Sequence, residues 1–278
     1  MDAVRAESVS YTYPDGTKAI SSVNFHVKEG TFAGIIASNG SGKTTLLRVL
    51  AGMLKATSGK VEIFGKPVGA IPERELFRMA GMVFQNPADQ LFAATLGEDI
   101  AFGPTNMGLS KDEVKERVEK ALSDVGLAGL GKRPVQALSF GQQKRACIAG
   151  LLAMGQKLLF LDEPTAGLDP AGERKVVELL TALNRERGIT MVMATHNVDM
   201  VPLFADRLTV LSDGKVVGDG SPEAVFRASD EMAGISLRLP QAAELIERMR
   251  VDGVGFEKLP LTIGEAQREI MKRMPGRG

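Results

Sequence analysis

Residues 31–45 read TFAGIIASNGSGKTT, and they decide the fold. Thr31–Ser38 is a short apolar run, long enough for one buried strand. Asn39-Gly40-Ser41-Gly42 is a glycine-rich turn, and Thr44–Ala51 has helical character. A buried strand that enters a helix through a tight loop is the βα unit of a parallel sheet. Gly40 and Gly42 let backbone N–H groups turn toward phosphate oxygens, and the helix start adds positive partial charge. Lys43 is placed to reach β- and γ-phosphates and Thr44 to hold Mg²⁺ through its hydroxyl. The full pattern G-x-x-x-x-G-K-[ST] has its first glycine at Ala37, where a methyl group is tolerated if φ is negative.

A second segment complements the first. Leu158-Leu159-Phe160-Leu161 is an apolar strand that ends on Asp162-Glu163. Ligands of open α/β sheets bind at the carboxyl ends of strands. Asp162 there suits Mg²⁺ coordination, and Glu163 suits a general base that polarises an attacking water. A phosphate loop with this acidic strand predicts nucleoside-triphosphate hydrolysis.

The bulk properties agree. The chain has 278 residues, 44% hydrophobic and 24% charged. At roughly 150 residues per domain this is one large domain, or one with a small addition. Lys+Arg and Asp+Glu are both 34, which argues against a protein held to nucleic acid by bulk charge. A single cysteine, Cys147, makes no internal disulfide, fits a reducing compartment, and reads as inert helix packing. The N-terminus has early charges and no apolar run of a secretion signal. No segment approaches the ~20 apolar residues of a membrane span.

Alternation over 4–13 and 22–28 predicts strands of a half-exposed sheet, with His26 at the surface. Ser110–Val125 predicts an amphipathic helix, capped by Ser110 with Glu113 and ended by Gly126. Further helices are expected over Gln142–Ala153 and Glu173–Arg187. Strands are expected over Lys60–Phe64, Lys157–Leu161, Thr190–Ala194 and Leu208–Leu211. Residues 1–220 read as the main domain, with a helical portion near 86–150, and 221–278 as a small helical extension beginning near Ser221-Pro222.

Between the two phosphate motifs lies Leu138-Ser139-Phe140-Gly141-Gln142. It resembles the LSGGQ signature of the ATP-binding-cassette family. Gln85, Ala166-Gly167-Leu168-Asp169 and His196 match that family's Q-loop, D-loop and switch histidine, and Tyr13 matches the aromatic that stacks on adenine. Seven motifs thus follow the family's order from Tyr13 to His196. The resemblance implies a P-loop α/β fold with a mostly parallel core sheet, an N-terminal antiparallel β subdomain and a helical signature subdomain. It implies ATP and Mg²⁺ as ligands, with Glu163, His196 and Gln85 catalytic. Tyr13, Asn39, Gly40, Ser41, Gly42, Lys43, Thr44, Thr45, Ser139, Gly141 and Gln142 would bind nucleotide, and Thr44, Gln85 and Asp162 would hold the metal. It also implies that Ser139 and Gly141 serve the partner's γ-phosphate, so each chain supplies half of two sites. Phe140 departs from the usual glycine, and its side chain is expected to point away from nucleotide.

Residues 81–109, GMVFQNPADQLFAATLGEDIAFGPTNMGL, look like the ATPase subunits of prokaryotic energy-coupling-factor importers. Asp89–Phe92, Phe102-Gly103-Pro104, the phenylalanine form of the signature, Leu239-Pro240-Gln241 and Leu259-Pro260-Leu261-Thr262 look most like the cobalt and nickel members. This resemblance implies a second ATPase subunit (identical or paralogous), a transmembrane coupling subunit docked near 86–104, and a separate membrane subunit that selects substrate. It implies a place on the cytoplasmic face of the membrane and no nucleic-acid partner. A vitamin importer is the alternative, followed by a soluble non-transport ATPase of the same family.

Overall fold

The computed structural model describes residues 1–38, 40–228, 238–256 and 258–273. Strand β3 (Phe32–Ala37) lies near the middle of a six-stranded sheet of order β10-β9-β3-β8-β7-β6. Its other members are β6 (Ala80–Val83), β7 (Leu158–Asp162), β8 (Thr190–Thr195), β9 (Arg207–Ser212) and β10 (Lys215–Gly220). All pairings are parallel except the β9–β10 edge. A separate antiparallel sheet of order β2-β1-β4-β5 is built from β1 (Asp2–Thr12), β2 (Lys18–Lys28), β4 (Ser58–Ile63) and β5 (Lys66–Pro67). His26 is exposed on β2, as its alternation predicts.

The side-chain period of two explains why the central strands read as unbroken apolar runs. Leu158 and Phe160 enter one core, shared with Val192, Ala194, the antiparallel sheet and α1 (Lys43–Leu50). Leu159 and Leu161 enter the other core, shared with Met191, Met193 and the helices of the opposite face. Both faces of β7 are therefore buried, and each fully buried Leu or Phe contributes roughly 1.5–3 kcal/mol.

The second core is covered by α3 (Leu96–Asn106), α4 (Lys111–Asp124), α5 (Phe140–Met154) and α6 (Pro170–Arg187). Helix α4 carries the expected capping box between Ser110 and Glu113. Helix α5 begins two residues earlier than its apolar pattern suggests, with Ser139 as its cap. Helix α3 is not marked by periodicity: it contains Gly97, Gly103 and Pro104, residues that weaken any helical reading. A capping box between Thr95 and Glu98 starts it nonetheless. The thiol of Cys147 is buried within α5, and burial pushes its pKa up to about 12, the inert packing expected of it.

Helix α7 (Pro222–Arg227), α8 (Gln241–Val251) and α9 (Ile263–Met271) follow β10. Ala243, Leu259 and Leu261 pack into the second core, while Ala242, Ile246, Phe256 and Ala266 form a small cluster of their own. No helix among the described residues is long and apolar enough to cross a membrane.

An ion pair joins the ends of α4 and α6. The guanidinium of Arg187 meets both carboxylate oxygens of Asp124, and it holds that carboxyl below its usual range. A depressed carboxylate pKa stabilises the fold above the unfolded value near 3.9, and this is lost as pH falls through the folded value. Arg187→Gln is expected to lower stability by at most about 1 kcal/mol at pH 7, because solvent screens the pair. Urea unfolding as a function of pH checks it. The gap between variant and wild type should shrink below about pH 4 and close at lower pH.

Candidate functional site

Parallel register brings the carboxyl ends of β3, β8 and β7 side by side: Ile36 lies beside Thr195, and Ala194 beside Asp162. Each strand end releases one part of the site. The phosphate loop follows β3, His196 follows β8, and Asp162-Glu163 closes β7.

The loop is built as its glycines require. Gly42 caps α1 with φ +95°, and a Cβ there would lie 2.3 Å from the carbonyl oxygen of Ala19. Only glycine fits both constraints. Gly40 is also left-handed, at φ +80°. Ser41 Oγ donates to the carbonyl of Ser38 at 2.6 Å, closing the loop from within. Ala37 lies in β3 and is not among the positive-φ residues, so its methyl group is accommodated. Asn39 lies outside the described residues.

Lys43 Nζ donates to the carbonyls of Ala37 at 2.7 Å and Ser38 at 3.3 Å, and stands 3.6 Å from Glu163 Oε1. The hydroxyl of Thr44 donates to Asp162 Oδ2 at 2.7 Å. Tyr13 hydroxyl and Thr45 Oγ1 are 2.9 Å apart, which sets the Tyr13 ring beside the first turn of α1. Tyr11 meets that ring edge to face at 5.0 Å.

Asp162 is buried, and its Oδ1 has no hydrogen-bond partner. Burial pushes its carboxyl up, against the bond from Thr44. A buried carboxylate oxygen without a partner, beside a hydroxyl and a second carboxylate, is a donor set that suits a hard divalent cation. The site thus fits Mg²⁺.

Glu163 is buried and has φ +47°, a left-handed conformation that costs a non-glycine residue about 1–3 kcal/mol and persists only where its surroundings enforce it. Its N–H donates to Ala194 at 3.0 Å, and its carbonyl accepts from Ala166 N at 3.1 Å and Lys144 Nζ at 3.1 Å. The twist aims the carboxylate at His196, whose Nδ1 lies 2.9 Å from Glu163 Oε2. Because an ionised carboxylate only accepts, this bond assigns the proton to Nδ1.

Gln85 follows β6 and is exposed, and its carbonyl accepts from Lys144 Nζ. Ser139 and Gln142 form a capping box: Ser139 Oγ accepts from Gln142 N at 3.3 Å, and Gln142 Oε1 from Ser139 N at 2.9 Å. Among the described residues, no hydrogen bond joins Ser139, Gly141 or Gln142 to the phosphate loop or to Glu163. The Phe140 ring instead lies against Gly167, where a Cβ would come within 2.9 Å of it. Asp169 caps α6 through Gly172 N at 2.7 Å.

Two residues escaped the sequence reading. Lys144 is fully buried. A signal for it exists: it shares a helix face with Cys147, Ile148 and Leu151, all buried. Glu173, in the first turn of α6, accepts from Asn197 Nδ2 at 3.2 Å, and burial pushes its carboxyl up despite the nearby His196. Nothing in its local sequence marks it, because its neighbours come from the segment after β8.

The segment after Gln85 is well ordered by its own polar groups. Asp99 Oδ2 accepts the N–H of Phe92 and of Ala93, both at 2.8 Å. This leaves Phe92 and Phe102 65% and 52% exposed, their rings edge to face at 4.8 Å.

The family model for ABC transporters matches residues 20–166. A putative ABC transporter ATP-binding protein of Geobacter sulfurreducens is 56% identical over 266 residues, 95% of each chain. The energy-coupling factor transporter ATP-binding protein EcfA of Methanocaldococcus jannaschii is 44% identical over 274 residues, 98% of each chain. The structure of cbiO1 from Clostridium perfringens, part of the ABC transporter complex cbiONQ, superposes with a TM-score of 0.77 at 41% identity, covering 88% of this chain and 99% of that one. The strand-end site and these likenesses together establish that the chain belongs to the ABC transporter family, as an ATP-binding, ATP-hydrolysing subunit of the energy-coupling-factor type.

Proposed function

We propose that the chain powers import through a membrane complex by hydrolysing ATP with Glu163 as general base. The observation that carries this is the contact of Glu163 Oε2 with His196 at 2.9 Å while Oε1 faces Lys43 at 3.6 Å. A carboxylate held between the phosphate-binding lysine and the switch histidine is positioned to take a proton from water that attacks the γ-phosphate. Gly40, Ser41, Gly42, Lys43, Thr44 and Thr45 receive the phosphates, and Tyr13 the adenine. Asp162, Thr44 and Gln85 would hold Mg²⁺, which supplies neutralisation of phosphate charge.

The site is completed by a second ATPase subunit. Among the described residues no hydrogen bond joins the signature to its own phosphate loop, and the Ser139 cap satisfies Gln142 N. The N–H groups of Phe140 and Gly141 remain helix-terminal donors suited to a phosphate on another chain. Phe92 and Phe102 form an apolar spot on the 86–104 segment, which suits a helix from a transmembrane coupling subunit at the cytoplasmic face. A separate membrane subunit selects the cargo. The resemblance of the runs at 89–92, 102–104 and 138–142 favours cobalt or nickel ions over vitamins.

Glu163→Gln is expected to lower hydrolysis by on the order of 10²-fold or more and to accumulate an ATP-bound dimer. Steady-state kinetics and analytical ultracentrifugation read both. An undiminished rate would falsify the assignment of the base. In vesicles carrying the whole complex, ATP-dependent uptake of Ni²⁺ or Co²⁺ should vanish with Glu163→Gln, whereas uptake from a vitamin panel instead would replace the cargo. Phe92→Ser combined with Phe102→Ser should abolish co-purification of the ATPase with its membrane subunits; capture at the wild-type level removes the docking surface.

A further inference from the structure

Lys144 is a fully buried cation with an unusual set of partners. Among the described residues it forms no ion pair. Its ammonium donates to two main-chain carbonyls, those of Gln85 and Glu163, the latter at 3.1 Å. It also faces the Phe140 ring, 5.4 Å from the centroid. Burial disfavours its charge. A buried ammonium is a costly way to fill space, and an apolar side chain of similar volume would pack as well.

The two carbonyls belong to different parts of the machine. Gln85 ends the turn after β6 and begins the 86–104 segment. Glu163 carries the carboxylate beside His196 and is held in a left-handed conformation. Lys144 itself sits one turn into α5, whose first residues are the signature. Its ring neighbour Phe140 rests on Gly167, in the loop that follows Glu163. One side chain therefore spans the signature helix, the Gln85 turn and the hydrolytic strand end.

We propose that Lys144 is a positioning residue, which pins the main chain of Glu163 to that of Gln85 so that α5 and the hydrolytic carboxylate move as one body. The proposal rests on the reading of Glu163 as the base. Both acceptors are carbonyls, so the clamp needs two donated bonds from one reach, not a charge partner. A shift of about 1 Å in a reacting group can lower a rate 10²-fold. Loss of the clamp should therefore act on turnover rather than on ATP affinity, since no hydrogen bond or ion pair joins Lys144 to the phosphate loop among the described residues.

The test compares ATP hydrolysis by the full chain, with its thermal midpoint, in wild type, Lys144→Met and Lys144→Gln. Met is close in volume, ends one bond short and has no donors. Gln has the same reach as Met but keeps donors, so it reaches one carbonyl at a time. Expected are a kcat about tenfold or more lower for Met and an intermediate kcat for Gln, each with KM for ATP within about twofold of wild type. A wild-type kcat for Met, even with a lowered midpoint, makes Lys144 merely structural and overturns the proposal. So does a KM that rises in step with the loss. Should Met fail to fold, Gln decides alone: kcat down threefold or more at unchanged KM supports the clamp, and wild-type kcat removes it. Glu163→Gln runs alongside. Inactive Glu163→Gln with fully active Lys144 variants removes only the clamp, while active Glu163→Gln removes the base and the clamp with it.

Discussion

Parallel register is the constraint on which this molecule depends. The ends of β3, β8 and β7 are level because Ile36 pairs with Thr195 and Ala194 with Asp162. A shift of one residue along any of these strands would turn each side chain to the opposite face. Leu158 and Phe160 would then exchange cores with Leu159 and Leu161. Since both faces are buried, hydrophobicity alone would tolerate that exchange. Volume and the polar strand ends do not. A slip would carry Asp162 out of reach of Thr44, whose bond at 2.7 Å links the phosphate loop to the acidic strand across the width of β8.

The electrostatics of the site follow from that geometry. Lys43 is buried beside two buried carboxylates, Asp162 and Glu163. Burial raises the Asp162 carboxyl most and the neighbouring Glu163 adds to it, against the bond from Thr44 and the charges of Arg48 and Lys43. His196 adds a proton donor to Glu163 without requiring full charge. The unpartnered Asp162 Oδ1 is the place where a cation would offset the cost of burying that carboxylate.

What was legible in the sequence, and what was not, divides along physical lines. The phosphate loop, the acidic strand and the capping box at Ser110 are local: neighbours in sequence impose the conformation, so a pattern suffices. The cap at Ser139 with Gln142 is equally local, yet its consequence is not. A signature that closes on itself through its own capping box gives no sign of which phosphate it faces. Helix α3 was hidden because Gly97, Gly103 and Pro104 depress helical propensity, and tertiary burial of Leu96 and Ile100 overrides it. Glu173 was hidden because its environment comes from Asn197 and His196, on a different strand's end. Lys144 could have been read, since it lies one turn before Cys147, which already reads as helix packing, but charge at a core position has meaning only when its acceptors are known.

The strained conformation of Glu163 connects these levels. A left-handed residue at the end of a strand is unstable by itself and must be held by its hydrogen bonds. Ala194 holds its N–H, and Ala166 and Lys144 hold its carbonyl. The first ties the residue to the sheet, the second to the loop that follows, and the third to the signature helix. The first of these restraints is fixed by the core, because β8 is buried on both faces. The third depends on α5, which belongs to the helical layer rather than to the sheet. A displacement of that layer would therefore reach Glu163 through the Lys144 bond and through the Phe140 ring on Gly167, while the bond to Ala194 ties the residue to the sheet. Glu163 is in this way the point where the strand ends of the sheet meet the helical layer.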